Sequence, residues 1–263
     1  MRIRNPKGAL LQRPFFCLVT AILLQSTAVD TAFATCLKNA TREAVKIASI
    51  TDGDTVVLQD QRKVRIIGVN TPELNAQKPW SRALARRAAN AVERWLEKQS
   101  SVYLVSGIDP FDHHQRSLAH LMGSSDQLLS EHLLQQGLAA ASPVHPNTRC
   151  ADHLAKQERD SRTAGSGVWR KENPWFVIDT TLNKRQHRGF RIVQAKLVNI
   201  SNTKKKYTLV LQSGLRVNIR KSIYQSLEVV PKTGETIEVR GWVSFRSKQP
   251  SISLHHATNL SIL

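Results

Sequence analysis

Along this chain the apolar positions change period several times, and each change marks an element. Val45 to Ile50, Val56 to Leu58 and Val64 to Ile67 are short, β-branched runs bounded by turn residues, the pattern of strands. Asp52 and Asp54 flank Gly53 in the turn before the second run, and Asn70-Thr71-Pro72-Glu73 closes the third with turn chemistry. From Trp80 to Gln99 the period becomes helical. Ala83, Leu84, Ala88, Ala91, Val92, Trp95 and Leu96 line one side, and Arg82, Arg86, Arg87, Arg94 and Lys98 form a solvated face. Val102 to Val105 and Ser117 to Met122 predict two more strands, separated by the turn-rich Asp109-Pro110-Phe111-Asp112. Asp126 to Gly137 predicts a compact helix with a leucine face and a glycine stop. A polar third helix is expected over 149–164, ended by Gly165-Ser166-Gly167, with Trp169 folded back on the body.

Beyond residue 189 the pattern is almost entirely that of strands. Phe190 to Ile200, Tyr207 to Gln212, Leu215 to Ile219, Thr236 to Phe245 and Ile252 to Leu263 alternate or run apolar between short polar turns. Five short strands suit a small all-β barrel, with an oligonucleotide-binding (OB-like) barrel as first expectation and a sandwich left open. Tyr207, Tyr224, Trp242 and Phe245 are its candidate stacking platforms, though such rings more often serve as core. The chain thus divides into residues 1–34, a first folded unit over 35–169, a linker over 170–189 and a second unit over 190–263.

Charge sharpens the division. The whole chain carries a formal +18, and residues 181–263 hold 15 Lys and Arg against three acids, while 35–180 is nearly balanced. Such segregation points to a polyanionic partner for the tail, with Lys204, Lys205, Lys206, Arg216, Arg220 and Lys221 as candidate contacts. Nucleic acid is one such partner; anionic lipid and cell-wall polymer are others that composition does not separate. At the other end, Arg2, Arg4, Lys7 and Arg13 precede the apolar run Phe15 to Leu24, and Ala32-Phe33-Ala34 supplies a cleavage signal. Polar residues interrupt that run well short of the roughly 20 residues a membrane span needs. Residues 1–34 are therefore expected to be a signal peptide, leaving a monomer secreted or held in the periplasm. Cleavage leaves Cys36 and Cys150, a candidate disulfide in an oxidising compartment, the alternative being two free thiols. No Cys or His spacing matches a zinc site, since His113-His114 and His255-His256 are adjacent pairs.

Four motifs then fall in one order: Asp52-Gly53-Asp54-Thr55, Arg65 through Glu73 (RIIGVNTPE), Asp112 through Leu121 (DHHQRSLAHL), and Gln136-Gly137-Leu138-Ala139. Together they resemble the staphylococcal nuclease (thermonuclease) family over the first folded unit. Val239-Arg240-Gly241-Trp242-Val243 looks like part of a β-barrel module that accompanies such nucleases in exported bacterial relatives. The resemblance implies an α+β fold, a five-stranded OB-type barrel with three helices, followed here by the second, OB-like barrel. It implies a calcium-dependent hydrolase, a phosphodiesterase acting on DNA or RNA with low sequence specificity. By the same resemblance Asp54, Asn70 and the Thr71 carbonyl match ligands for Ca2+, and Glu73 matches the general base. Arg65 and Arg116 match the guanidiniums that grip phosphate, and Asp52 supports the ligands from behind. Hard oxygen donors suit calcium, and guanidinium forks suit phosphate.

The sequence also departs from the family pattern. Asn70 stands where a carboxylate ligand is usual, which removes a negative charge. His113-His114-Gln115 replaces the usual residues before Arg116, and Pro143 and His145 stand near where the family places base-contacting tyrosines. These departures keep open an inactive envelope module that binds nucleic acid or another polyanion.

Overall fold

We describe residues 35–76 and 78–263 from a computed structural model; the expected signal segment 1–34 lies outside them. The first apolar run folds as β1 (Glu43–Val45) and β2 (Ile47–Asp52), parted only by Lys46. They are followed by β3 (Thr55–Leu58), β4 (Lys63–Ile66), the short β5 (Val69–Asn70), helix α1 (Pro79–Glu97), β6 (Val102–Phe111) and β7 (Ser117–Gly123). Then come α2 (Leu129–Gln135), β8 (Ala140–Ala141), α3 (Ala151–Gln157) and α4 (Arg159–Thr163). β1 pairs with β6 while β2 pairs with β3, so the strand running through Lys46 closes the sheet order β1-β6-β7-β4-β3-β2 into a five-stranded barrel. The β4–β7 pair is parallel and the other pairs are antiparallel. α1 covers the barrel with Leu84, Ala88, Ala91, Val92 and Trp95 inward, as its 3.6-residue period requires.

Two elements differ from the pattern-based expectation. β6 runs on through the turn-rich stretch to Phe111. Asn147 makes this extension possible, its Oδ1 accepting from Asp109 N (3.0 Å) and its Nδ2 donating to Asp109 O (2.9 Å). The register shift between Ser106 and Phe111 also leaves Pro110 where no ladder bond is needed. The polar third helix runs as α3 and α4 with a one-residue joint at Glu158, which keeps right-handed helical dihedrals (φ −81°, ψ −16°) and buries its side chain.

The last third contains β9 (Phe176–Ile178), α5 (Lys184–His187), β10 (Gly189–Asn202), β11 (Lys206–Leu211), β12 (Arg216–Arg220), α6 (Lys221–Gln225), β13 (Thr236–Val243), β14 (Ser251–Leu254) and β15 (Leu260–Ile262). The order β14-β12-β11-β10-β13 curls back on itself through the Ser244–Ser251 bridge, again with one parallel pair, β12 with β14. If each barrel's strands are numbered along the chain, both follow the order 1-2-3-5-4 and return to 1. The segment 170–189 is packed rather than extended. β9 lies parallel on β10, and Trp175 meets Phe190 edge-on at 5.0 Å.

The two cores meet along β10. Val193, Ala195 and Leu197 point into the second barrel, whereas Phe190 and Ile192, of opposite parity, belong to the first core. Cys36 and Cys150 are joined, with Cα atoms 5.3 Å apart. No helix among the described residues is long and apolar enough to cross a membrane.

Candidate active site

The site is assembled where the β2–β3 turn, the end of β4 and the chain after β5 converge. Gly53 permits the close approach, because a Cβ there would meet Ala88 Cβ at 2.6 Å and Thr71 Cγ2 at 3.0 Å. Gly68 turns the chain out of the barrel at φ +83°, where a Cβ would collide with Leu154 at 2.4 Å. That turn lets β5 pair with β8 and lays Asn70 and Thr71 over the buried carboxylate of Asp54. Asp54 Oδ2 accepts from Thr71 N (2.7 Å) and Thr71 Oγ1 (2.9 Å), and Oδ1 accepts from Thr55 Oγ1 (3.1 Å).

Arg65, on β4, reaches the same point. Its Nη1 lies 3.2 Å from Asp54 Oδ2, and its Nη2 donates to Asn70 Oδ1 at 3.3 Å. Asp52 holds the following loop by accepting from Leu74 N at 3.1 Å. Glu73 completes the acidic side. Burial pushes its carboxyl up to about 7, the Asp54 and Asp52 carboxylates push the same way, and Arg65 pulls against them. Because the residue keeps substantial contact with solvent, water screens part of this rise.

Arg116 approaches from another side. Gln115, at φ 60°, closes a tight turn in which Asp112 Oδ1 accepts from His114 N and Arg116 N, both at 2.9 Å. Asp112 Oδ2 then accepts from Arg116 Nε at 2.7 Å, fixing the guanidinium stem. Arg65 and Arg116 line one open cleft of about 300 Å³, together with Phe111, His113 and His145. Two guanidinium forks on one cleft fit an oxyanion such as phosphate, and the acids behind Arg65 can take up a cation or a proton.

A family model described as "Staphylococcal nuclease homologue" matches residues 63–171. Residues 63–171 form a staphylococcal nuclease homologue domain. The chain is also similar to the thermonuclease of Staphylococcus hyicus, 26% identical over 136 residues, covering 51% of this chain and 79% of that protein. The thermonuclease of Staphylococcus intermedius is 27% identical over 133 residues, covering 49% and 77% respectively.

The structure brings Asp52 and Asp54, from before the matched segment, together with Arg65, Asn70, Thr71 and Glu73 from within it, and places Arg116 across the cleft. Among the described residues no three His, Cys, Asp or Glu side chains converge as metal ligands. A hard cation would therefore depend on one buried carboxylate, Asp54, with the Asn70 amide oxygen and the Thr71 carbonyl. These donors are all oxygen, which fits Ca2+.

The basic tail residues divide. Lys206 pairs with Arg220 across β11 and β12, and Lys221 N donates to Lys205 O, so Lys204 to Lys206, Arg220 and Lys221 share one end of the second barrel. Arg216 lies at the other end of β12, its Nη1 on Gln249 Oε1 at 3.1 Å. The lysine turn also follows Asn202, at the opposite end of β10 from the cleft, up to roughly 40 Å of strand away. Tyr207 and Tyr224 stack on each other, centroids 3.7 Å apart.

Two roles were not legible in the sequence. Asp112 stood in a motif and in turn chemistry, with nothing to show that it fixes the Arg116 guanidinium. Trp242, a candidate stacking platform of the second barrel, lines the cleft beside Arg65 and Arg116, more than 120 residues away in the chain.

Proposed function

We propose that the chain is an exported, calcium-dependent phosphodiesterase that hydrolyses nucleic acid with low sequence specificity. The observation that carries this reading is the presence of Arg65 and Arg116 on one cleft, with Asp54, Asn70, Thr71 and Glu73 behind Arg65. Export draws support from the charged and apolar leader of the sequence and from the Cys36–Cys150 bond.

Ca2+ held by Asp54, Asn70 and the Thr71 carbonyl would supply positive charge against the phosphoryl oxygens. Glu73 takes a proton from the attacking water as the new O–P bond forms. Arg65 and Arg116 hold the non-bridging oxygens, where negative charge builds as the water adds, and when the ester P–O bond breaks its electron pair goes to the leaving oxygen, which takes a proton from solvent. Phosphate contacts carry little sequence information, so the cut is expected to be unselective for sequence.

A second reading, a module that binds nucleic acid without cutting it, is favoured by one observation. Arg65 already satisfies both Asp54 and Asn70 internally, and Asn70 adds no charge for a cation. Digestion of plasmid and RNA, with calcium and with chelator, separates the two. Wild type should cut only with calcium, while Glu73→Gln and Arg65→Ala should be slowed by about 10²-fold or more. Intact substrate under every condition would leave only the binding module.

A further inference from the structure

From Glu238 onward, every second residue of β13 faces the nuclease-homologue domain. Glu238 accepts from Arg162 Nη2 at 2.7 Å, Arg240 pairs with the buried Glu158, and Trp242 ends the series at the cleft. Trp242 is 43% exposed, yet its position is fixed. It stands opposite Phe190 across β10 and β13, their rings edge-on at 5.3 Å, and Phe190 is in turn braced edge-on by Trp175. Phe111 and Val144, two other exposed apolar side chains, line the same cleft. An open apolar surface beside two guanidiniums matches one kind of ligand, a flat aromatic group joined to a phosphate.

We propose that the second barrel supplies the base-binding wall of the cleft, with Trp242 as the platform on which an unstacked nucleobase lies while Arg65 and Arg116 hold its phosphate. A base inside a duplex has no free face to offer, so the platform selects single-stranded nucleic acid or frayed ends. The tail barrel is then a structural part of the site, and its first contact with substrate is aromatic rather than cationic. This inference rests on the nucleic-acid reading of the same cleft and deepens it.

The test measures binding of a fluorescent single-stranded oligonucleotide in chelator, so that no cleavage intervenes, alongside a matched strand of abasic sugar-phosphate and a matched duplex. Wild type should bind the intact strand on the order of tenfold more tightly than the abasic strand. Trp242→Ala should erase most of that ratio while leaving abasic binding as it was, and Trp242→Phe should restore most of it. Equal wild-type affinity for the intact and abasic strands overturns the proposal, and so does a Trp242→Ala protein that keeps the full ratio. Binding that follows this pattern in a protein that never cuts would uphold the platform and remove only the hydrolase reading. Tryptophan emission gives an independent readout, because the quenching by intact strand should vanish in Trp242→Phe.

Discussion

At the scale of single residues, position rather than type sets each group's chemistry. Asp54 is buried with three donors around its carboxylate, while Glu73, nineteen residues on, is pushed toward neutrality by burial and by its acidic neighbours. Asn70 is the member whose replacement is most informative. Asn70→Asp should lower the calcium concentration needed for half-maximal cleavage, since it adds a charged hard ligand; an unchanged requirement removes Asn70 from the calcium site. His120 gives a pH prediction away from the cleft. It is buried, its Nδ1 has no hydrogen-bond partner among the described residues, and burial, then Arg149, lowers its pKa from 6.5 to about 4. The unfolded chain therefore binds the proton first. The stability this residue contributes is complete above pH 6.5 and is lost as the pH falls through about 4, amounting to about 3 kcal/mol. Denaturant melts of wild type and His120→Gln between pH 7 and 4 should converge toward the acid end, and parallel curves would show that His120 is not the group responsible.

At the scale of elements, the alternation of β13 joins the halves of the molecule. Glu158, at the joint between α3 and α4, pairs with Arg240 and also accepts from Ala141 N at 2.6 Å. Ala141 belongs to β8, whose partner β5 carries Asn70, so this carboxylate ties the tail barrel to the strand of the candidate site. Glu158→Ala should cost about 3–5 kcal/mol by stranding the Arg240 charge, whereas Glu158→Met with Arg240→Met should recover much of the loss. Chemical denaturation of the single and double variants decides it, and a harmless single variant would deny the pair a structural role. These elements also show what the sequence made legible. The cluster from Asp52 to Glu73 could be read because one hairpin and its exit turn bring it together within 22 residues. Glu238 and Arg240 alternate with apolar residues along β13, and alternation reports two faces but not what covers them.

At the scale of the whole molecule, the tail barrel is docked through β10 and is not a tether on a loose linker. A chain ending at residue 180 loses Phe190 and Ile192 from the first core. It should therefore melt at lower temperature and bind a hydrophobic dye, and an equally stable truncation would show the docking to be incidental. Lys204→Gln, Lys205→Gln and Lys206→Gln combined should reduce the slope of log affinity against log salt by up to about 2 for single-stranded substrate; an unchanged slope would place those lysines off the nucleic-acid path. The Cys36–Cys150 bond adds a topological consequence. Its ring of chain, spanning 114 positions, contains every residue proposed to hold the cation, the water or the phosphate. A protease that nicks the chain beside the exposed Ile108 thus opens a ring instead of severing a chain. The nicked protein should migrate as one piece on a non-reducing gel and as two after reduction, with Arg65 and Arg116 kept together until the bond is broken.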